Sequence, residues 1–140
     1  MVEVDVEWIE KMKFVGISPL NHRVVMDTEP RVGGEDTAPR PMEVMLIALG
    51  GCTGMDVVSI LRKMRVDFDE FHIKIKGERA EEHPKIYTKI EIIYTVKGKD
   101  LPEDKIKRAI ELSQERYCPI SAMIRKTSQL NYSYEVISGT

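Results

Sequence analysis

Cysteine is scarce in this chain: Cys52 and Cys118 are the only two in 140 residues. So few cysteines exclude a disulfide-stapled scaffold, and in a reducing compartment they point to free thiols, metal ligands or redox groups. A secretory pattern is also lacking. The opening "MVEVDVEWIEKM" alternates apolar with acidic residues and has no basic n-region or apolar h-region, so a cytoplasmic location is expected. Long apolar runs are missing as well. The longest uncharged stretch, residues 44–55, falls short of the roughly 20 residues of a bilayer span and is closed by Asp56, so no transmembrane segment is expected. Neither sign of charge prevails: the net charge is −2 with 31% charged residues, which offers no attraction to nucleic acid or to an anionic membrane. The three histidines, His22, His72 and His83, fall in a loop, a strand and a turn. Together with two distant cysteines they have no paired short spacing, so a four-ligand structural zinc site is excluded and no metal is expected. Ser59 and Ser121 lack a Gly-x-Ser-x-Gly setting, so a hydrolase elbow has no support. Asn and Gln are few while Lys and Glu are plentiful, a composition that leans toward a heat-adapted source.

What is present alternates at two periods. Val2, Val4, Val6 and Trp8 alternate with acidic residues as in a half-buried strand, and "FVGIS" and "RVVMDT" extend it to a three-stranded antiparallel meander. Residues 29–41, with two glycines and three prolines, read as a loop of the kind that carries function. From Pro41 to about Met64 the pattern is helical and apolar nearly all round, which predicts a central helix buried on both sides. Two long alternating segments around "EEHP" make a second antiparallel hairpin. "DLPEDKIKRAIELSQERY" opens with an Asp-x-x-Glu capping pattern and puts Ile106, Ala109, Ile110 and Ser113 on one face of a helix. A short helix "ISAMIRK" and a final strand "QLNYSYEVI" complete a single α+β domain over residues 1–140.

The two thiols sit in unlike settings. Cys118 precedes Pro119, which suits the first helical position, so Cys118 is placed as an N-cap, where unpaired amides and the helix dipole favour a thiolate. The "CPIS" segment resembles a thioredoxin turn with its second cysteine replaced, but that motif belongs early in its fold and only 22 residues follow Cys118. Cys52 lies in "GGCTGMDVV", with Asp56 one turn away on a bordering face. Each helical glycine costs about 1 kcal/mol relative to alanine, so Gly50, Gly51 and Gly54 imply close approach by a second helix or a substrate.

Taken together, "GGEDTAPRPMEVMLIALGGCTGMDVV" and, 66 positions after Cys52, "CPISAMIRKT" resemble the OsmC/Ohr family, with one cysteine mid-helix and a second in a Cys-Pro context near the C-terminus. The resemblance covers nearly the whole chain. It implies an OsmC-like α+β fold, antiparallel sheets around a long central helix, in an intertwined homodimer with sites at the subunit interface. It also implies reduction of organic hydroperoxides: Cys52 as the peroxidatic thiolate that becomes a sulfenic acid, and Cys118 as the resolving thiol. An external dithiol, a lipoyl group in some relatives, would restore the pair, with no bound cofactor.

Family peroxidases pair an arginine from the first hairpin with a glutamate ten positions before the first cysteine. Here the hairpin offers Lys11 and Lys13, and Met42 stands at the glutamate position. Glu43 is nine residues from Cys52, roughly 180° around an ideal helix. Arg40 is the cation expected to lower the Cys52 pKa, with Lys11 and Lys13 as alternatives. The alternative function is a non-catalytic binding module: an apolar interface cleft around Met42, Met45 and Met55 that holds a small hydrophobic molecule.

Overall fold

The computed structural model describes residues 1–139. Two compact units divide the chain, residues 1–45 and a second beginning at Leu46.

In the first unit, β1 (Asp5–Glu10), β2 (Lys13–Ile17) and β3 (Arg23–Met26) form the expected antiparallel meander in that order. The first turn is tied by Trp8 Nε1, which donates to the Lys11 carbonyl at 2.8 Å. Lys11 itself takes φ 48°, in the left-handed region. Every residue of β1 is exposed, so the alternation read as half-buried does not mark a buried face among the described residues. The loop that follows is organised by one carboxylate. Asp27, 2% exposed, accepts from the Thr28 amide at 2.7 Å through Oδ1. Its Oδ2 accepts from the Glu35 amide (3.2 Å), the Thr37 amide (3.1 Å) and Thr37 Oγ1 (2.7 Å). These donors, the Thr37 hydroxyl foremost, hold its pKa down at about 2. Gly34 is required here, because a Cβ would lie 2.0 Å from the Thr28 carbonyl oxygen.

Helix α1 (Pro41–Lys63) starts at the proline and runs unbroken through all three glycines. It is followed by β4 (Glu70–Arg79), β5 (Tyr87–Gly98), α2 (Glu103–Leu112), one π turn (Ser113–Tyr117), α3 (Pro119–Ile124) and β6 (Gln129–Ser138). β4 and β5 pair antiparallel as expected. β6, however, lies parallel to β5, so the second sheet is mixed rather than antiparallel. Its chain reaches β6 through the α2 and α3 crossover and so enters from the same end as β5. The core is built from alternate residues of β5, namely Ile90, Ile92, Tyr94 and Val96, with Ile106, Ala109 and Ile110 of α2, as their spacing predicts.

One expectation for the helices is corrected. The Asp-x-x-Glu cap does not form: Pro102 is the N-cap of α2, without a side-chain bond, and Asp100 instead takes φ 52° in the preceding turn. Within the single chain α1 is buried on one side. Leu49, Thr53, Val57 and Leu61 form one buried stripe at four-residue spacing, while Ile47 and Met55 are 63% and 76% exposed. Its 23 residues make a helix long and apolar enough by length and composition to cross a membrane, and 22% of its most apolar stretch is buried. The polar residues after 55 do not end the apolar pattern, because they fall on a helix whose other positions remain apolar.

Candidate functional site

α1 carries Cys52, Thr53 and Asp56 on adjoining positions of one helix, and the glycines explain how closely it lies on the sheet. A Cβ on Gly50 would come to 3.1 Å from Ile75 Cδ1, and one on Gly54 to 3.1 Å from Ile73 Cδ1. Within the chain, strand β4 is therefore what approaches these two glycines. Gly51 differs: apart from its own stretch of helix, nothing among the described residues stands within 4 Å of a Cβ there. It lines a shallow open concavity of about 630 Å³ with Gly54, Met55, Val58, Ser59 and Arg62.

The second half of the site comes from the end of α2. The helix closes in a π turn, in which the Cys118 amide donates to the Ser113 carbonyl at 2.8 Å, and π turns recur at functional sites. Cys118 is the N-cap of α3, as its place before Pro119 predicts, and its Sγ accepts from the Ser121 amide at 3.4 Å. The backbone amide of Ile120, in the first turn of α3, favours the ionised form of Cys52. Cys52 Sγ, Cys118 Sγ and a carboxylate oxygen of Asp56 all lie within 4.8 Å of one another, and both cysteines are free thiols. Cys118 is buried, whereas Cys52 and Asp56 are partly open.

The Cys52 thiol is pushed up, in contrast to the lowered value expected. Burial is the largest cause, followed by the neighbouring Cys118 sulfur, and the Asp56 carboxylate adds to it; only the Ile120 amide pulls the other way. The residues nominated as its activators make their bonds inside the first unit. Lys11 Nζ pairs with Glu35 at 3.1 Å, and Lys13 with the same carboxylate at 2.6 Å. Arg40 pairs with Glu29 (3.6 Å) and Asp36 (3.4 Å). Glu43 accepts from the Arg40 amide at 2.8 Å, capping the start of α1 as a glutamate at the third helical position does.

A buried polar chain that the sequence reading did not find lies behind the thiols. An ionised Asp56 can only accept, and this sets the direction of every bond. Ser113 Oγ donates to Asp56 Oδ2 at 3.0 Å, Thr53 Oγ1 to Ser113 at 2.7 Å, and the Tyr94 hydroxyl to Thr53 at 2.6 Å. Gln114 Nε2 donates to both Tyr94 (2.6 Å) and Thr53 (3.2 Å), and Arg125 Nη2 donates to Gln114 Oε1 at 2.8 Å. Burial of this kind strengthens each bond and makes a missing partner costly, so the chain fixes the π turn and the orientation of Asp56 together. Its members come from α1, β5, the π turn and the segment after α3, which no local spacing connects.

Comparison with known proteins bears on the family and the fold. The model of the OsmC-like protein family matches residues 33–133. Protein YhfA of Escherichia coli (strain K12) is 39% identical over 137 residues, 98% of this chain and 99% of that protein. The crystal structure of a hypothetical protein from Aquifex aeolicus VF5 superposes with a TM-score of 0.87 at 33% identity, over 100% of this chain and 98% of that one. An organic hydroperoxide resistance protein from Legionella pneumophila has the same fold at a TM-score of 0.70 and 11% identity, covering 99% of this chain and 97% of that one. With the family model matched across both cysteines and a relative aligned over nearly its full length, this chain belongs to the OsmC-like protein family.

Proposed function

We propose that the protein reduces organic hydroperoxides with Cys52 and Cys118, at the expense of an external dithiol. The observation that carries this reading is the pairing itself: two free thiols 66 positions apart in sequence have their sulfurs within 4.8 Å of each other. The Cys52 thiolate attacks the peroxide oxygen; an S–O bond forms, the O–O bond breaks, and the alkoxide leaves as the alcohol after taking a proton. Cys118 then displaces water from the Cys52 sulfenic acid to form the disulfide. Two thiol–disulfide exchanges with the dithiol restore both cysteines and oxidise the reductant. Cys52, the more open of the two, suits the first role and buried Cys118 the second.

The working form in this reading is a cytoplasmic homodimer with a second copy against the exposed side of α1. Ile47 and Met55, together with the open flank at Gly51, leave an apolar surface that needs such a cover. The experiment is consumption of cumene hydroperoxide in the presence of dihydrolipoamide or dithiothreitol. Wild type should turn over, Cys52→Ser should abolish turnover, and Cys118→Ser should accumulate a sulfenic acid trapped by a dimedone probe. Turnover no greater than that of the double serine variant would overturn the peroxidase reading.

A further inference from the structure

The cysteine pair is joined by a third group that the peroxidase chemistry above does not use. Asp56 follows Cys52 by four residues, so α1 presents both from one side, the spacing by which helical metal sites offer two ligands. Cys118 closes the triangle from the N-cap of α3, with every pair of ligand atoms within 4.8 Å. Bonds of about 2.3 Å for sulfur and 2.0 Å for oxygen put tetrahedral ligands roughly 3.5–3.8 Å apart, so the three groups need to close by only about 1 Å.

Two of the three ligand atoms are also oriented by a donor behind them. The Ser121 amide donates to Cys118 Sγ, and Ser113 Oγ to Asp56 Oδ2. Metal ligands are held in this way, and the outer donors are part of what sets affinity. Asp56 makes no ion pair among the described residues, so the carboxylate and two sulfurs have no side-chain cation bonded to them there. The partly open Cys52 and Asp56 leave a side for a fourth ligand.

We infer that reduced Cys52 and Cys118, with Asp56, form a three-ligand site for a thiophilic divalent cation such as Zn²⁺, with water in the fourth position. Two sulfurs and one carboxylate favour zinc over magnesium or calcium, which prefer oxygen alone. This differs from the closed four-ligand zinc site excluded on spacing, and it does not depend on peroxide turnover. Metal binding releases the thiol protons and occupies both sulfurs, whereas a Cys52–Cys118 disulfide removes two of the three ligands. The bound and oxidised states therefore exclude each other.

The test is anaerobic titration of the reduced protein with Co²⁺, then displacement by Zn²⁺. One ion per chain should bind with a sulfur-to-cobalt charge-transfer band and the visible bands of tetrahedral cobalt, and diamide-oxidised protein should show neither. Asp56→Asn should weaken binding about tenfold or more while keeping the charge-transfer band, an effect at least as large as loss of an outer donor. In unsubstituted protein, one equivalent of Zn²⁺ should slow iodoacetamide alkylation of both cysteines at least about tenfold, which needs no variant to fold. Absence of the charge-transfer band, unchanged alkylation rates, or equal affinity in a folded Asp56→Asn protein would each overturn the site.

Discussion

Cys52 and Asp27 show two opposite ways of handling charge at a single residue. The Cys52 sulfur is held among a second thiol and a carboxylate, with burial dominating, so its pKa is raised and the thiolate is a minor species at neutral pH. Measured with a chelator present, iodoacetamide alkylation of Cys52 should be slower at pH 7 than that of a free cysteine peptide, and should keep rising above the free-thiol pKa of about 8.5. A rate plateau below that value would contradict this environment. Asp27 is surrounded by donors and sits at about 2, below the ordinary aspartate value of about 3.9. A depressed carboxylate stabilises the fold above its unfolded pKa, and that contribution fades as the pH falls through about 4 toward 2. Thermal unfolding midpoints should therefore drop across that window in wild type. Asp27→Asn should start lower at neutral pH and fall less, and identical pH profiles would show that the carboxylate does not hold the loop.

Among the elements, α1 carries the most information because its flanks do different work. Gly50 and Gly54 admit the ends of Ile75 and Ile73, and those ends belong to flexible side chains. Gly54→Ala should stay within about 1 kcal/mol of wild type in urea unfolding, since its helix-propensity gain is offset by displacing Ile73. Gly54→Leu should overpack the same contact and destabilise by about 1–3 kcal/mol. Tolerance of the leucine would mean that the helix does not rest on β4 as described. The other informative element is the π turn, which lets α2 finish on the core with Ser113 and still deliver Cys118 beside Cys52.

For the whole molecule, the bare apolar side of α1 and the wholly exposed β1 leave much apolar surface uncovered in one copy. A second copy is the cover proposed above, and light scattering at micromolar concentration should report a dimer. Met55→Asp, which puts a charge on the exposed side without touching the buried stripe, should shift the protein toward monomer. An unaltered mass for that variant would move the dimer contact away from α1. A stable wild-type monomer would remove the homodimer altogether.

By itself the sequence determined what depends on neighbours along the chain: the alternating strands, the extent of α1, the buried face of α2 and the cap formed by Cys118 ahead of Pro119. The family was legible as well, because both cysteine motifs lie in contiguous residues. Only the tertiary structure decided what stands opposite those elements. It made β6 parallel to β5, set β4 against two of the glycines and left one side of α1 open. It also completed the site, joining Cys52 and Asp56 to Cys118 and tying them to Ser113, Thr53, Tyr94, Gln114 and Arg125. Periodicity reports which face of an element is apolar, whereas pairing of strands and convergence of side chains are set by packing between distant segments. The raised Cys52 pKa has the same origin: its burial and the neighbouring Cys118 sulfur arise only when the separate segments are brought together.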